Sequence, residues 1–94
     1  PVSMGKEDHV SMGATGTYRS LKSSQLLSQV LANELICSAE AIERINESAG
    51  SGVSKIVDWV RTFVLSYNGD RVMTSECEDL SNNLLSGGLQ AIFE

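Results

Sequence analysis

One proline, one tryptophan, two tyrosines and two phenylalanines leave this 94-residue chain with little material for a β-sheet and argue for helix instead. Cys37 and Cys77 are too few and too far apart to form a disulfide framework, so they are read as reduced thiols packed as small apolar groups. With His9 the only histidine, no zinc-ligand set can be assembled by spacing. Cations are scarce too: 7 Lys and Arg stand against 12 Asp and Glu, a net charge of -5. Nucleic acid and anionic membrane surfaces both demand clustered Lys and Arg, and no basic stripe is present. No apolar run reaches the roughly 18 residues of a membrane span, and no charged-then-apolar leader opens the chain, so a cytoplasmic protein is expected. The length allows one small domain with a thin margin of stability. A start on Pro1 without an initiator Met reads as the boundary of a longer or processed polypeptide.

What is present is organised by glycine. Gly5, Gly13 and Gly16 among Ser and Thr predict an irregular loop over residues 1–16. Residues 17–46 contain neither Gly nor Pro, and Leu27, Val30, Leu31, Leu35, Ala39, Ile42 and Ile45 recur at separations of three and four, which predicts one long helix. Leu26, Ile36, Cys37 and Ala41 fall off that stripe and widen the apolar surface, as suits a helix packed on more than one side. The stretch from Glu47 to Gly52 reads as a linker. Val53, Ile56, Val57, Val60, Phe63 and Val64, with Trp59 beside them, predict a second helix over 53–65. Asn68-Gly69-Asp70 is a turn in which Gly69 can take positive φ. Ser75 and Glu78 are spaced as a capping box for a third helix over 75–86, lined by Cys77, Leu80, Leu84 and Leu85 and stopped by Gly87-Gly88. The expected fold is all-α: one long helix and two shorter ones after an irregular amino-terminal loop.

The one dense cluster of chemistry is Lys6-Glu7-Asp8-His9-Val10-Ser11-Met12-Gly13. Its Glu-Asp-His-Val-Ser-Met-Gly core resembles the signature of histidine ammonia-lyases, in the aromatic amino-acid ammonia-lyase family. Pro1-Val2-Ser3 is similar to the family's lead-in, Leu31-Ala32-Asn33-Glu34-Leu35-Ile36 to its long helix, and Asp70-Arg71-Val72-Met73 with Leu80 to Leu85 to its closing turn and last helix. The first match is specific; the later ones are ordinary amphipathic helix and add weight through their order.

The resemblance implies a piece of a larger helical-bundle enzyme that eliminates ammonia from L-histidine to give urocanate. The β-proton to be removed is not acidic and the amine leaves poorly, so the reaction needs an electrophile to hold the amine and a positioned base. By resemblance Glu7 is the active-site carboxylate, catalytic and substrate-binding, acting as base or as orienting group. Asp8 and His9 are expected to hold the local structure through hydrogen bonds. Tyrosine and phenylalanine lyases tend to carry Gln at this place, so Glu7 with His9 favours histidine. Lys6 departs from the Gln or Thr often found before this Glu.

The family's electrophile is a methylidene-imidazolone cyclised from an Ala-Ser-Gly triplet. This chain has Ala49-Gly50-Ser51-Gly52, in the wrong order, so the fragment alone is expected to be inactive and to need the remainder of the lyase chain and the other subunits of a homotetramer. The alternatives are a self-contained helical interaction module, with the Val53 to Val64 stripe as its binding face, and a fragment of a related tyrosine or phenylalanine ammonia-lyase or aminomutase.

Overall fold

The computed structural model describes residues 5–45 and 49–94, with side chains from residue 13 onward. Four helices follow one another: α1 Gly5–Ile45, α2 Ser51–Arg61, α3 Thr74–Leu85 and α4 Gly88–Ala91. Among the described residues there is no strand. The all-α expectation holds, with one long helix dominating.

The loop expected over 1–16 is corrected: from Gly5 onward the chain is helical. A glycine costs a helix about 1 kcal/mol relative to alanine, whereas each residue added to a helix already nucleated beyond Gly16 gains a backbone hydrogen bond without a new nucleus. The helix therefore continues through the glycines. The Thr17 and Ser24 hydroxyls donate to the carbonyls of Gly13 and Ser20, both at 3.0 Å, so the short polar side chains of this half bond to their own helix. At 1.5 Å per residue, 41 helical residues span about 60 Å, which accounts for the longest dimension of 64 Å. The Cα radius of gyration is 18.7 Å, against about 12 Å for a compact chain of this length.

α1 packs most extensively on α3. The buried line on α1 is Ser28, Ala32, Ile36 and Ala39, with Leu35 half-buried beside it. α3 contributes Leu80 and Ser81, fully or almost fully covered, and half-buried Cys77 and Leu84. The expected stripe is thus only partly the core. Ala39 is buried and Leu35 and Ile42 are half-buried, but Leu27, Val30, Leu31 and Ile45 stay exposed, and Ile36, placed off the stripe, is buried. Ser28, Ala32 and Ser81 are small, so the α1 and α3 backbones run close along that line. The wider leucines flank the contact. Nine residues at about 100° each set Val30 roughly half a turn from Ala39, so α1 carries a second apolar side that none of the described residues covers.

α2 begins at Ser51, two residues before its expected start, because Gly50 adopts an extended conformation and its carbonyl accepts the Ser54 amide at 2.9 Å. It stops at Arg61 rather than at 65. The Thr62 hydroxyl and amide both donate to the Trp59 carbonyl, and the Phe63 and Val64 amides to that of Val60, tightening the last turn. Val60 and Val64 are buried as the stripe implied, and Trp59 is buried too, its ring edge-on to Phe63 at 5.4 Å and 76°.

The capping box at Ser75 and Glu78 does not form. α3 starts at Thr74 after Met73, with no side-chain cap, and the Cys77 amide reaches the Met73 carbonyl at 3.0 Å. Glu76 in the first turn supplies a favourable negative charge there instead. Gly69 has φ +109° and Gly87 φ +87°, the two positions where positive φ is required. After Gly87 the short α4 turns Leu89 and Ile92 onto the core.

Gly88 makes the tightest approach. A Cβ there would lie 3.0 Å from the Asn83 carbonyl oxygen and 3.4 Å from Trp59 Cζ2. Gly88→Ala should therefore destabilise by about 1–3 kcal/mol, the usual cost of forcing an extra carbon into a packed site. Gly52→Ala, with nothing within 4 Å inside α2, should stabilise by up to about 1 kcal/mol. Urea unfolding midpoints of the two variants should move in opposite directions; equal midpoints would contradict the close contact at Gly88.

Candidate functional site

The residue singled out by sequence, Glu7, sits on the first turns of α1 with Asp8 and His9 next to it along the backbone. Their side chains lie outside the described residues, so the hydrogen bonding expected of Asp8 and His9 does too. The structure puts the signature run on a continuous helix rather than on a loop.

The polar geometry that is described lies elsewhere, where α1, α2 and the 62–73 connection meet. The Glu40 carboxylate accepts the Tyr67 amide at 2.5 Å, Arg61 Nη2 at 2.9 Å and Arg44 Nε at 3.4 Å. Arg61 also donates from Nε to Glu43 at 2.5 Å and from Nη1 to the Val64 carbonyl at 3.3 Å. The Tyr67 amide bond, aided by Arg61 and Arg44 and opposed by partial desolvation, holds the Glu40 carboxyl below its ordinary value. The Tyr67 hydroxyl donates to Asp70 at 2.7 Å, and that bond raises its pKa.

A second clasp closes the connection. Arg71 donates to the Leu65 and Ser66 carbonyls at 2.8 and 3.3 Å and pairs with Glu76 through Nη2 at 2.8 Å and Nε at 3.4 Å. Arg71 holds the Glu76 carboxyl below its ordinary value, and Glu76 raises Arg71 in return. Neither Arg61 nor Arg71 stands at a spacing from Glu40, Glu43 or Glu76 that marks these ties in the sequence. Nothing in the chain order could reveal the Glu40 contact to Tyr67, 27 residues away.

Two grooves flank α3. One, about 430 Å³, is lined by Gln29 and Asn33 of α1 and by Thr74, Cys77, Glu78 and Ser81. The other, about 340 Å³ and mainly apolar, runs between Leu27 and Leu31 of α1 and Leu84, Leu85 and Leu89. Neither contains a nucleophile paired with a base. Cys37 is exposed and Cys77 half-buried, both as free thiols; the packed environment expected for Cys37 is not provided by this chain. Among the described residues no cluster of His, Cys, Asp and Glu could hold a metal ion, and no helix is long and apolar enough to cross a membrane.

The signature run thus lies on the first turns of a long helix that three short helices follow. The family model described as aromatic amino acid lyase matches residues 1–62. The chain belongs to the aromatic amino acid lyase family. Among its relatives are histidine ammonia-lyases from Natranaerobius thermophilus, 35% identical over 95 residues, Deinococcus radiodurans, 36% over 89, and Symbiobacterium thermophilum, 34% over 95. These alignments cover 100%, 95% and 100% of this chain but 19%, 17% and 19% of the relatives. The chain thus spans about a fifth of their length. No solved structure matches.

Arg71→Ala should lower the urea midpoint at neutral pH by removing the bonds to Leu65, Ser66 and Glu76. Because Glu76 is depressed by Arg71 in the folded state, its contribution is present above the ordinary glutamate pKa of about 4.3 and is lost as pH falls through its folded value. The gap between wild type and variant should therefore narrow in acid. A gap that stayed unchanged as the pH fell through the depressed value of Glu76 would show that the ion pair contributes nothing.

Proposed function

We propose that these residues form the carboxy-terminal portion of a histidine ammonia-lyase, which eliminates ammonia from L-histidine to give urocanate, and that Glu7 is its active-site carboxylate. The observation that carries the reading is the run Glu7-Asp8-His9-Val10-Ser11-Met12-Gly13, in a chain aligned end to end with relatives bearing that name. At the reacting centre a carboxylate can take the β-proton or accept hydrogen bonds from the substrate's amine or imidazole. Glutamate, rather than glutamine, suits a substrate that itself carries N–H donors.

The electrophile must come from elsewhere in the polypeptide. Ala49-Gly50-Ser51 lacks the Ala-Ser-Gly order, and Ser51 is already the first residue of α2, its chain engaged in helix rather than in a turn that could cyclise. These residues do not fit the methylidene-imidazolone. Catalysis thus requires the remainder of the lyase chain.

Assembly follows from the uncovered face of α1. Leu27, Val30 and Leu31 are 57%, 54% and 41% exposed, a local apolar patch of the kind that soluble proteins cover. In the proposed enzyme the rest of the chain and the other subunits of a homotetramer pack there, in the cytoplasm. The isolated 94 residues should therefore associate, and Leu27→Glu with Val30→Glu should reduce that association in sedimentation velocity. A well-behaved wild-type monomer would favour a self-contained interaction module instead.

The catalytic test compares the fragment with its parent. The 94-residue chain should form no urocanate from histidine, while the full-length enzyme should. Replacing Glu7 by Ala in the full-length enzyme should cut turnover by roughly 10²- to 10⁴-fold. Full activity in that variant would remove the site assignment, and turnover of tyrosine or phenylalanine in preference to histidine would move the enzyme to the related lyases.

A further inference from the structure

The 62–73 connection is fastened differently at its two sides. Toward α3 it is held by Arg71, which spans Glu76 and the Leu65 and Ser66 carbonyls and so travels with α3. Toward α1 the backbone of the connection is held by the Glu40 carboxylate through the Tyr67 amide, with the Arg44 guanidinium 6.0 Å from the centroid of the Tyr67 ring as the accompanying side-chain contact. Apolar burial contributes little to that second attachment. Val64 is the only fully covered residue of the connection, while Leu65, Tyr67 and Val72 are exposed. The α1–α3 pair, by contrast, rests on Ala32, Ile36, Ala39 and Leu80, all inside the core.

We propose that Glu40 is a protonation-dependent latch: with its charge present, residues 65–70 lie against α1, and with the charge lost they part from α1 while staying tied to α3 through Arg71, the α1–α3 pair remaining packed. The charged groups facing the latch are Arg44 and Glu43 on α1, Arg61 at the end of α2, and Tyr67, Asp70 and Arg71 on the connection. Glu76 on α3 is engaged by Arg71. Of these, Arg44, Arg61 and the Tyr67 amide stabilise the ionised carboxylate directly. Protonation weakens all three bonds at once, because a carboxylic acid is a poorer acceptor and no longer attracts guanidinium. Arg61 keeps its bonds to Glu43 and the Val64 carbonyl, so the end of α2 remains seated and only the stretch beyond Val64 is freed. The latch is closed above the ordinary glutamate range and opens as pH falls through the depressed value of Glu40.

Hydrogen exchange read by mass spectrometry on the full-length polypeptide tests this, comparing wild type, Glu40→Ala and Glu40→Gln, with intrinsic exchange rates divided out at each pH. Alanine retains helix propensity while removing the acceptor; glutamine mimics the protonated acid. At neutral pH, Glu40→Ala should speed exchange of the 65–70 segment by about tenfold or more, as expected for a locally opening unit. Peptides covering 28–36 and 77–84 should keep their protection. Wild-type protection of 65–70 should fall toward that of Glu40→Gln only as the pH is lowered below the ordinary glutamate range, through the depressed value of Glu40. Unchanged protection of 65–70 in Glu40→Ala would overturn the latch. So would loss of protection spreading to 28–36, which would make Glu40 a support of the whole fold, or a ratio of wild type to Glu40→Gln that stayed constant with pH.

Discussion

A 41-residue helix with only 11-, 12- and 4-residue helices to lie against it sets the terms for everything else in this molecule. The short helices can cover one line along α1 and no more. Their contact is built on small side chains, Ser28 and Ala32 facing Leu80 and Ser81, which brings the helices close at the cost of leaving larger residues on either flank uncovered. Both serines satisfy their hydroxyls within their own helix, Ser28 to the Gln25 carbonyl at 2.7 Å and Ser81 to that of Glu78 at 3.0 Å. The interface therefore carries no unpaired polar group and relies on shape.

A thin core leaves the path of the chain between elements to polar ties. Arg61 and Arg71 each span several acceptors, so each fixes a stretch of backbone rather than a single partner. Ion pairs this close to solvent are weak individually. Their effect here is geometric: the guanidinium fork matches carbonyl and carboxylate oxygens that are separated in sequence, and it defines where α2 ends and α3 begins. The division of labour is clear, with apolar burial fixing which helices meet and arginine fixing how the chain passes between them.

The parts legible in the sequence were those governed by local rules. Periodicity revealed the long helix, and the spacing of Val60 and Val64 identified the buried side of α2. Gly69 was readable because a turn there needs positive φ. Local rules failed where distant residues decide. The most apolar stripe of α1 was a reasonable core, yet Leu27, Val30 and Leu31 are exposed because α3 selects the line of small residues beside them. Three glycines suggested a loop over 1–16, but a helix already formed from residue 17 extends through them at modest cost. The capping box failed because the connection delivers the chain to Thr74 with Arg71 already paired to Glu76. Glu7 was visible only through its neighbours in a characteristic run, since a lone carboxylate carries no such signal.

Trp59, the single tryptophan, lies where α2, Phe63 and the turn at Gly88 converge. Its ring sits about one van der Waals contact from the position a methyl group would take on Gly88, and nearly all of its surface is covered. Tryptophan emission from this chain is consequently an optical report on one corner alone, the seating of the carboxy-terminal hook on α2. The outer half of α1, with no indole near it, is dark to the same measurement.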